Sequence, residues 1–328
     1  MRVATYNILL GGERRRDLIR NVLRRVDADV VALQEVREVD TVRDLAGELG
    51  MEMLLGEPSD PASPMHTAIL TRLPTRAWRN RRHHGRMLRS HLHCDIETGG
   101  AEIPLMGVHC LHLAARFGDR NKGEARRIRE IGAVLTDIAD EPPLPHMLIG
   151  DFNALSPGDD ILATAFFRRM NDLRRAGLLV AGPNGILTPL APNDGGSGDG
   201  LADRWRRAGV DPRLLGGIPV LPRVVSPLTI GLPVSRAMDR FLGRLIERWT
   251  MERLLKEGYA DCYRRVHPRA RGFTCATWQL SARVDYILAT PDLAAHTLGA
   301  DVVGGRTWPD ADAAVASDHY PVVADFSV

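Results

Sequence analysis

The sequence predicts an α+β fold in which packed sheets are covered by helices. Two observations carry this. Short apolar runs of strand length outnumber the helical patterns, and some follow one another with only a turn between. A regular β-α alternation would need a helix after each strand, and the chain supplies too few. With 328 residues, 44% of them hydrophobic, the chain can bury a large core, and it is read as a single domain.

The strand-like runs are, in order, Val3–Leu10, Val30–Leu33, Ala68–Leu70, Ile103–Leu113, Met147–Ile149, Val284–Ala289 and Pro321–Phe326. Two helical patterns lie between them. "RRRDLIRNVLRRV" puts Leu18, Val22 and Val26 on one face, and "KGEARRIREIGAVLTDIAD" does the same with Ala125, Ile128, Ile131, Leu135 and Ile138. Residues 182–258 break the rhythm. A Gly/Pro/Asn/Asp-rich loop opens the segment and a proline-punctuated apolar stretch follows. "VSRAMDRFLGRLIERWTMERLLKEG" then reads as one amphipathic helix with Met238, Leu242, Leu245, Trp249 and Leu254, stopping at Gly258. This segment is read as a helical insertion in the main domain.

Composition excludes several classes. Lys plus Arg (43) nearly balances Asp plus Glu (41), so the net charge of +2 carries no global nucleic-acid signal. Cys94, Cys110, Cys262 and Cys275 show no metal-ligand spacing and read as reduced core residues. The opening "MRVATYNILL" enters a strand pattern directly, without the features of a signal peptide. The most apolar window, Ile218–Val234, is interrupted by four prolines and Arg223, so it is not a membrane span. A cytoplasmic location is expected.

The chemistry is concentrated where the strands end. Asn7 closes the first run, Glu35 follows the second, and His112 closes "VHCLHL". Asp151 and Asn153 stand in "LIGDFNA", Asp285 in "RVDYIL", and Asp318 and His319 at the entrance of the last run. Each taken alone is a turn residue or a satisfied core histidine. Together they place acids, amides and imidazoles at the edges of buried elements, where packing does not call for them. Metal-assisted attack on a phosphate needs this set. Glu35 and Asp318 suit a hard cation such as Mg²⁺. Asn7, Asn153 and a protonated His112 suit the charge on the phosphate oxygens. His319 titrates near neutrality and suits a base, with Asp285 to fix its tautomer. Asp151 orients or deprotonates the water, and two residues apart on a strand it shares a side with Asn153.

In their order along the chain, "NIL", "LQEV", "HL", "GDFNA", "RVDYIL" and "SDHYPV" resemble the endonuclease/exonuclease/phosphatase superfamily, the group with the deoxyribonuclease I-like fold. The resemblance spans Arg2 to Val328 apart from the insertion. It implies a four-layered α/β/β/α sandwich with two central, mostly antiparallel sheets, Mg²⁺ (or Mn²⁺) dependence and phosphoester hydrolysis. It implies that Glu35 ligates the metal, with Asn7 and Asp318 beside it. It also implies that His112 and Asn153 contact the phosphate, Asp151 handles the water, and Asp285 pairs with His319. The chain departs from many relatives at "CLHL", where Cys110 and Leu111 replace a polar pair and so remove hydrogen-bonding groups near the phosphate. "LQEV" leans away from the abasic-site repair branch.

The substrate is less constrained. Thr71–His93 holds seven arginines and four histidines, which suit either a phosphate-contacting surface or a solvated hairpin. Arg120 and Lys122, soon after His112, suit a substrate phosphate. The main expectation is a phosphodiesterase acting on nucleic acid. The alternatives are a hydrolase of a small or lipid phosphoester and a non-catalytic binding module of the same fold.

Overall fold

The computed structural model describes residues 1–12, 14–115, 122–181, 187–190, 199–215 and 233–328. Two six-stranded sheets are packed face to face. The first contains β1 (Arg2–Asn7), β2 (Val30–Val36), β3 (Glu52–Gly56) and β4 (His66–Thr71), and is completed by two strands near the C-terminus. The second contains β5 (Thr75–Arg81), β6 (His91–Glu97), β7 (Leu105–His112) and β8 (His146–Asp151). A two-stranded ribbon, β9 (Leu179–Ala181) with β10 (Leu187–Pro189), stands apart. The remaining strands are β11 (Ala260–Asp261) and β12 (Asp285–Ala289) in the second sheet, and β13 (Thr297–Val302) and β14 (Val322–Phe326) in the first.

The two sheets follow the same plan. The first runs β13-β14-β1-β2-β4-β3 and the second β11-β12-β8-β7-β6-β5. Each is antiparallel except for one central parallel pair, β1 with β2 and β7 with β8. A parallel pair needs a crossover, and helices supply it: α1 (Arg16–Val26) between β1 and β2, and α3 (Lys122–Ala139) between β7 and β8. A further helix, α2 (Val39–Glu48), follows β2. Both strands of each parallel pair end on the same side, and those four ends carry Asn7, Glu35, His112 and Asp151.

The pleat sorts the second sheet into two faces. Val108, Cys110, Met147, Ile149 and Ile287 enter the core shared with the first sheet. Leu111, Leu148, Tyr286 and Leu288 point the other way, into a second cluster with Ile131 and Val134 of α3. Burying each such aliphatic side chain fully is worth about 1.5–3 kcal/mol. Cys110 lies between the sheets, 3.6 Å from Gln34 Nε2 and 3.7 Å from the Leu33 carbonyl. The expected loss of phosphate contacts at Cys110 and Leu111 therefore does not arise, since both side chains face apolar packing.

The helices of the 182–258 segment differ from the single helix expected. After α4 (Ala163–Arg175) and α5 (Asp199–Ala208) come two separate helices, α6 (Arg236–Leu245) and α7 (Trp249–Lys256). The chain turns extended at Ile246 and the break is held from both sides. Arg248 reaches the Asp159 carbonyl at 2.9 Å and the Gly243 carbonyl at 3.3 Å, while Glu124 of α3 accepts the Thr250 N–H at 2.7 Å. The contacts at Gly243 and Thr250 satisfy helix-end groups that a continuous helix would have paired internally. Met251 and Leu254 of α7 then pack into the α3-side core.

Candidate active site

Asn7 stands at the end of β1, and the chain beyond it turns sharply. Leu9, Leu10, Gly11 and Gly12 all have positive φ, so the strand expected to reach Leu10 stops at Asn7. The turn folds the backbone back on the side chains: Leu9 N–H donates to Asn7 Oδ1 at 3.0 Å, and Leu10 N–H donates to Glu35 Oε2 at 2.9 Å. Buried Arg15 holds the turn through the Leu9 carbonyl at 2.6 Å and also bonds the Ala316 carbonyl. Glu35 sits at φ 60°, where the pairing of β2 with β4 shifts register. A non-glycine residue held in the left-handed region at such an irregularity re-aims its side chain, here towards Asn7 Nδ2 at 3.3 Å.

The second sheet delivers a row of three residues. His112 of β7 lies opposite Asp151 of β8, and Asp151 lies opposite Asp285 of β12. Close approach of β7 and β8 depends on Gly150: a Cβ there would fall 1.9 Å from the Leu111 carbonyl oxygen. Asp151 is the centre of the site. Its Oδ2 accepts from Asn7 Nδ2 at 3.0 Å and Asn153 Nδ2 at 3.2 Å, and its Oδ1 accepts the Asn153 N–H at 2.9 Å. His112 Nε2 is 3.6 Å from that Oδ2, and His319 Nε2 is 3.9 Å from it. Asn153 meets Asp151 as expected, but by another route. The strand ends at Asp151, and Asn153 adopts φ 48° in a tight turn that folds its amide back. That amide also donates to the Leu113 carbonyl at 3.2 Å.

The last motif closes the site. His319 Nδ1 bonds Asp285 Oδ2 at 2.8 Å. Ser317, fully buried, donates to the Asn7 carbonyl at 2.7 Å, tying the entrance of β14 to the end of β1. Two residues before Asp285 lies a buried ion-pair network that sequence reasoning missed. Arg283 is 1% exposed, pairs with Asp159 at 3.0 Å and Asp261 at 2.7 Å, and covers the Tyr286 ring at 4.5 Å. An arginine two residues before the catalytic candidate in "RVDY" was the available signal, since burial of an unpaired guanidinium is costly.

The electrostatics reverse the expected charges of the two histidines. Burial drives the His112 imidazole well below its ordinary range, and the charges of Arg89 and His319 push the same way. It is therefore neutral, not protonated, and its Nδ1 has no hydrogen-bond partner among the described residues. For His319 burial again opposes charge, but the Asp285 carboxylate, with Cys275, Asp151 and Asp318, raises it well above its ordinary range. It is the cation of the site instead of a group titrating near neutrality. Burial raises the Asp151 carboxyl to about 7, with the charge of Asp285 adding to it. Burial likewise raises Asp318 to about 6; His319 opposes this and Glu35 reinforces it.

Asp151, Asp285 and His319 bring one ligand atom each to within 4.8 Å of one another, a group that could hold a divalent metal only if His319 gave up its proton. The oxygen donors Glu35 and Asp318 are not part of that tight group. They are near enough for the charge of Glu35 to act on Asp318, and carboxylate oxygens are what a hard cation takes, with water completing the shell. Arg89, from the basic stretch before β6, is the arginine of that stretch whose charge is felt at His112, and its Nε has no partner among the described residues. Others of the stretch are engaged elsewhere: Arg79 and Arg81 with Glu141, Arg82 with Glu57, and Arg72 with Asp27. Arg120 lies outside the described residues, as does the side chain of Lys122.

A family model for the endonuclease/exonuclease/phosphatase family matches residues 4–319, and the chain belongs to that family. No curated protein matches the sequence. Among solved structures the chain is similar to an AP endonuclease from Archaeoglobus fulgidus, at 15% identity over 100% of both chains with a TM-score of 0.59. It is also similar to the 3′-5′ exonuclease NExo from Neisseria meningitidis, at 16% identity over 100% of both chains and 0.56. A third is a 3′ phosphatase form of NExo from Neisseria bound to a product DNA hairpin, at 15% identity over 100% of both chains and 0.54. At these identities the likeness shows the fold, the four-layer α+β sandwich of the deoxyribonuclease I type. No described helix is long and apolar enough to cross a membrane.

Proposed function

We propose that the protein is a Mg²⁺- or Mn²⁺-dependent phosphodiesterase acting on nucleic acid, with residues 182–258 inserted in a single catalytic domain. The observation that carries this is the convergence on Asp151 of Asn7 and Asn153 within hydrogen-bond reach, with His112 and the His319–Asp285 pair just beyond. A carboxyl raised to about 7 in this setting is suited to take a proton from water near neutral pH. His319, held charged by Asp285, donates to a phosphoryl oxygen as negative charge builds. The neutral His112, whose Nδ1 has no partner among the described residues, supplies a further N–H donor, while the Asn7 and Asn153 amides, already donating to Glu35, Asp151 and the Leu113 carbonyl, hold Asp151 in place until substrate competes for them. Glu35, with Asp318 and Asn7 beside it, would hold the metal, which polarises the phosphoryl group when bound. Arg89 extends the positive field towards the remainder of the substrate.

The substrate class draws support from the neighbours, an AP endonuclease, a 3′-5′ exonuclease and a 3′ phosphatase, the last bound to a product DNA hairpin. The free cysteines are compatible with a cytoplasmic setting. One observation favours a second reading, a lipid phosphoester. Phe241, Leu245 and Trp249 of α6 and α7 are 55%, 64% and 45% exposed, as a face meeting a lipid surface would be.

A substrate panel with Mg²⁺ or Mn²⁺ separates them: duplex DNA, a 3′-phosphorylated DNA hairpin, RNA, and sphingomyelin or phosphoinositide vesicles. Cleavage of a nucleic acid with a KM rising steeply with salt supports the first reading. Turnover of vesicle substrates alone, weakly dependent on salt, replaces it with the second.

A further inference from the structure

The outer face of the second sheet carries a group of titratable side chains that the phosphoester site does not use. Leu92, Cys94, Val108 and Cys110 point into the core between the sheets, so the pleat turns His91, His93 and His109 outward. His93 and His109 are cross-strand partners, and their rings stack at 4.2 Å and 6°. His146 of β8 meets His109 edge-on at 5.1 Å. The C-terminal part of α3 brings Asp137 over this face, and the turn before β6 adds His83. Few structural needs call for such a concentration of imidazoles under one helix.

Three of these groups converge on one point. His83 Nε2 lies 2.8 Å and His91 Nδ1 3.0 Å from the same atom, Oδ2 of Asp137. The other oxygen, Oδ1, is turned to Arg81 at 3.5 Å. Around a tetrahedral zinc ion with bonds of about 2.0–2.1 Å, ligand atoms sit roughly 3.3 Å apart. The two contacts to Asp137 need to open by only a few tenths of an ångström to admit one, and all three ligand atoms already lie within 4.8 Å of one another. His91 is also held from behind: its Nε2 is 2.8 Å from His109 Nδ1. With metal on Nδ1, the Nε2–H donates to His109, the outer hydrogen bond that fixes tautomer and ring orientation at metal-bound histidines. His83 and Asp137 are 16% and 13% exposed, so an ion reaches the group from solvent.

We propose that His83, His91 and Asp137 form a second metal site, selective for a borderline transition ion such as Zn²⁺, with water completing the shell and His109 positioning His91. Two imidazoles with one carboxylate differ in kind from the oxygen-rich phosphoester site, which suits Mg²⁺ or Mn²⁺. The ion clamps the β5–β6 hairpin to α3. The site does not depend on the phosphodiesterase reading.

The test uses metal-stripped full-length protein, equilibrated with Zn²⁺ in excess Mg²⁺ and freed of unbound ions before the zinc is counted. The wild type and Glu35→Gln are expected to retain one more zinc ion per chain than His83→Ala and Asp137→Asn, and their Tm to rise with zinc. Equal zinc in the wild type, His83→Ala and Asp137→Asn overturns the proposal, as does loss confined to Glu35→Gln. If a variant fails to fold, Co²⁺ titration of the wild type decides. Intense tetrahedral d–d bands support the site, and weak octahedral bands alone overturn it.

Discussion

Asn7 Nδ2 donates to Asp151 Oδ2 at 3.0 Å, joining the end of β1 in one sheet to the end of β8 in the other. The bond crosses between sheets where their two parallel pairs end, so the site exists only when the sheets are docked. Asn7→Ala should lower kcat by about 10²- to 10³-fold, the effect of removing one preorganised donor. It should cost on the order of 1 kcal/mol in stability, measured by urea unfolding. An unchanged kcat would remove Asn7 from the site.

The buried carboxyls make the metal-free site oppose folding at neutral pH. Asp151 and Asp318 are raised to about 7 and about 6, from an unfolded value of about 4. The native state holds protons that the unfolded chain releases, so stability is fully present below about pH 4 and falls as pH rises through 6 to 7. In EDTA at pH 8, Asp151→Asn should therefore unfold at a higher temperature than the wild type. The gain should be on the order of 2 kcal/mol while activity is lost. A lower Tm would show that the asparagine and histidine contacts outweigh burial.

His319 holds its proton to higher pH than a free imidazole does. Its raised native value means that its contribution to stability is present below about pH 6.5 and is lost as pH rises through that native value. Asp285→Asn removes its 2.8 Å partner. The alkaline limb of the rate profile should then move to lower pH, with kcat reduced by roughly 10²- to 10⁴-fold. A reduced kcat with no movement of that limb would make Asp285 a structural residue only.

Arg89 should contribute to substrate binding more than to chemistry. Arg89→Ala is expected to raise KM several-fold, with kcat changing less, and to weaken the salt dependence of KM on a polyanionic substrate. Arg79→Ala, which removes a guanidinium paired with Glu141, should leave KM in place.

Much of this was legible in the residues, because polar groups at strand ends have few bland explanations when they recur. The strand runs follow from local patterns and the Asp285–His319 pairing from the resemblance, whereas Asn153 meets Asp151 through a turn that strand alternation did not contain. The charge states of His112 and His319 follow from neither. They are set by burial and by Arg89, Asp285 and Asp318, which the fold brings together from distant parts of the chain. The burial of Arg283 depends in the same way on Asp159 and Asp261. The division of one expected helix into α6 and α7 rests on tertiary partners, Glu124 and the carbonyls bonded by Arg248, that periodicity cannot contain.

The most direct measurement is the hydrolysis of bis-p-nitrophenyl phosphate by the wild type, Asp151→Asn and His319→Ala, each with EDTA and with added Mg²⁺ or Mn²⁺. The expected result is metal-dependent turnover in the wild type that falls by at least about 10²-fold in both variants. Turnover unaffected by EDTA, or equal in all three proteins, would contradict a phosphoester site centred on Asp151.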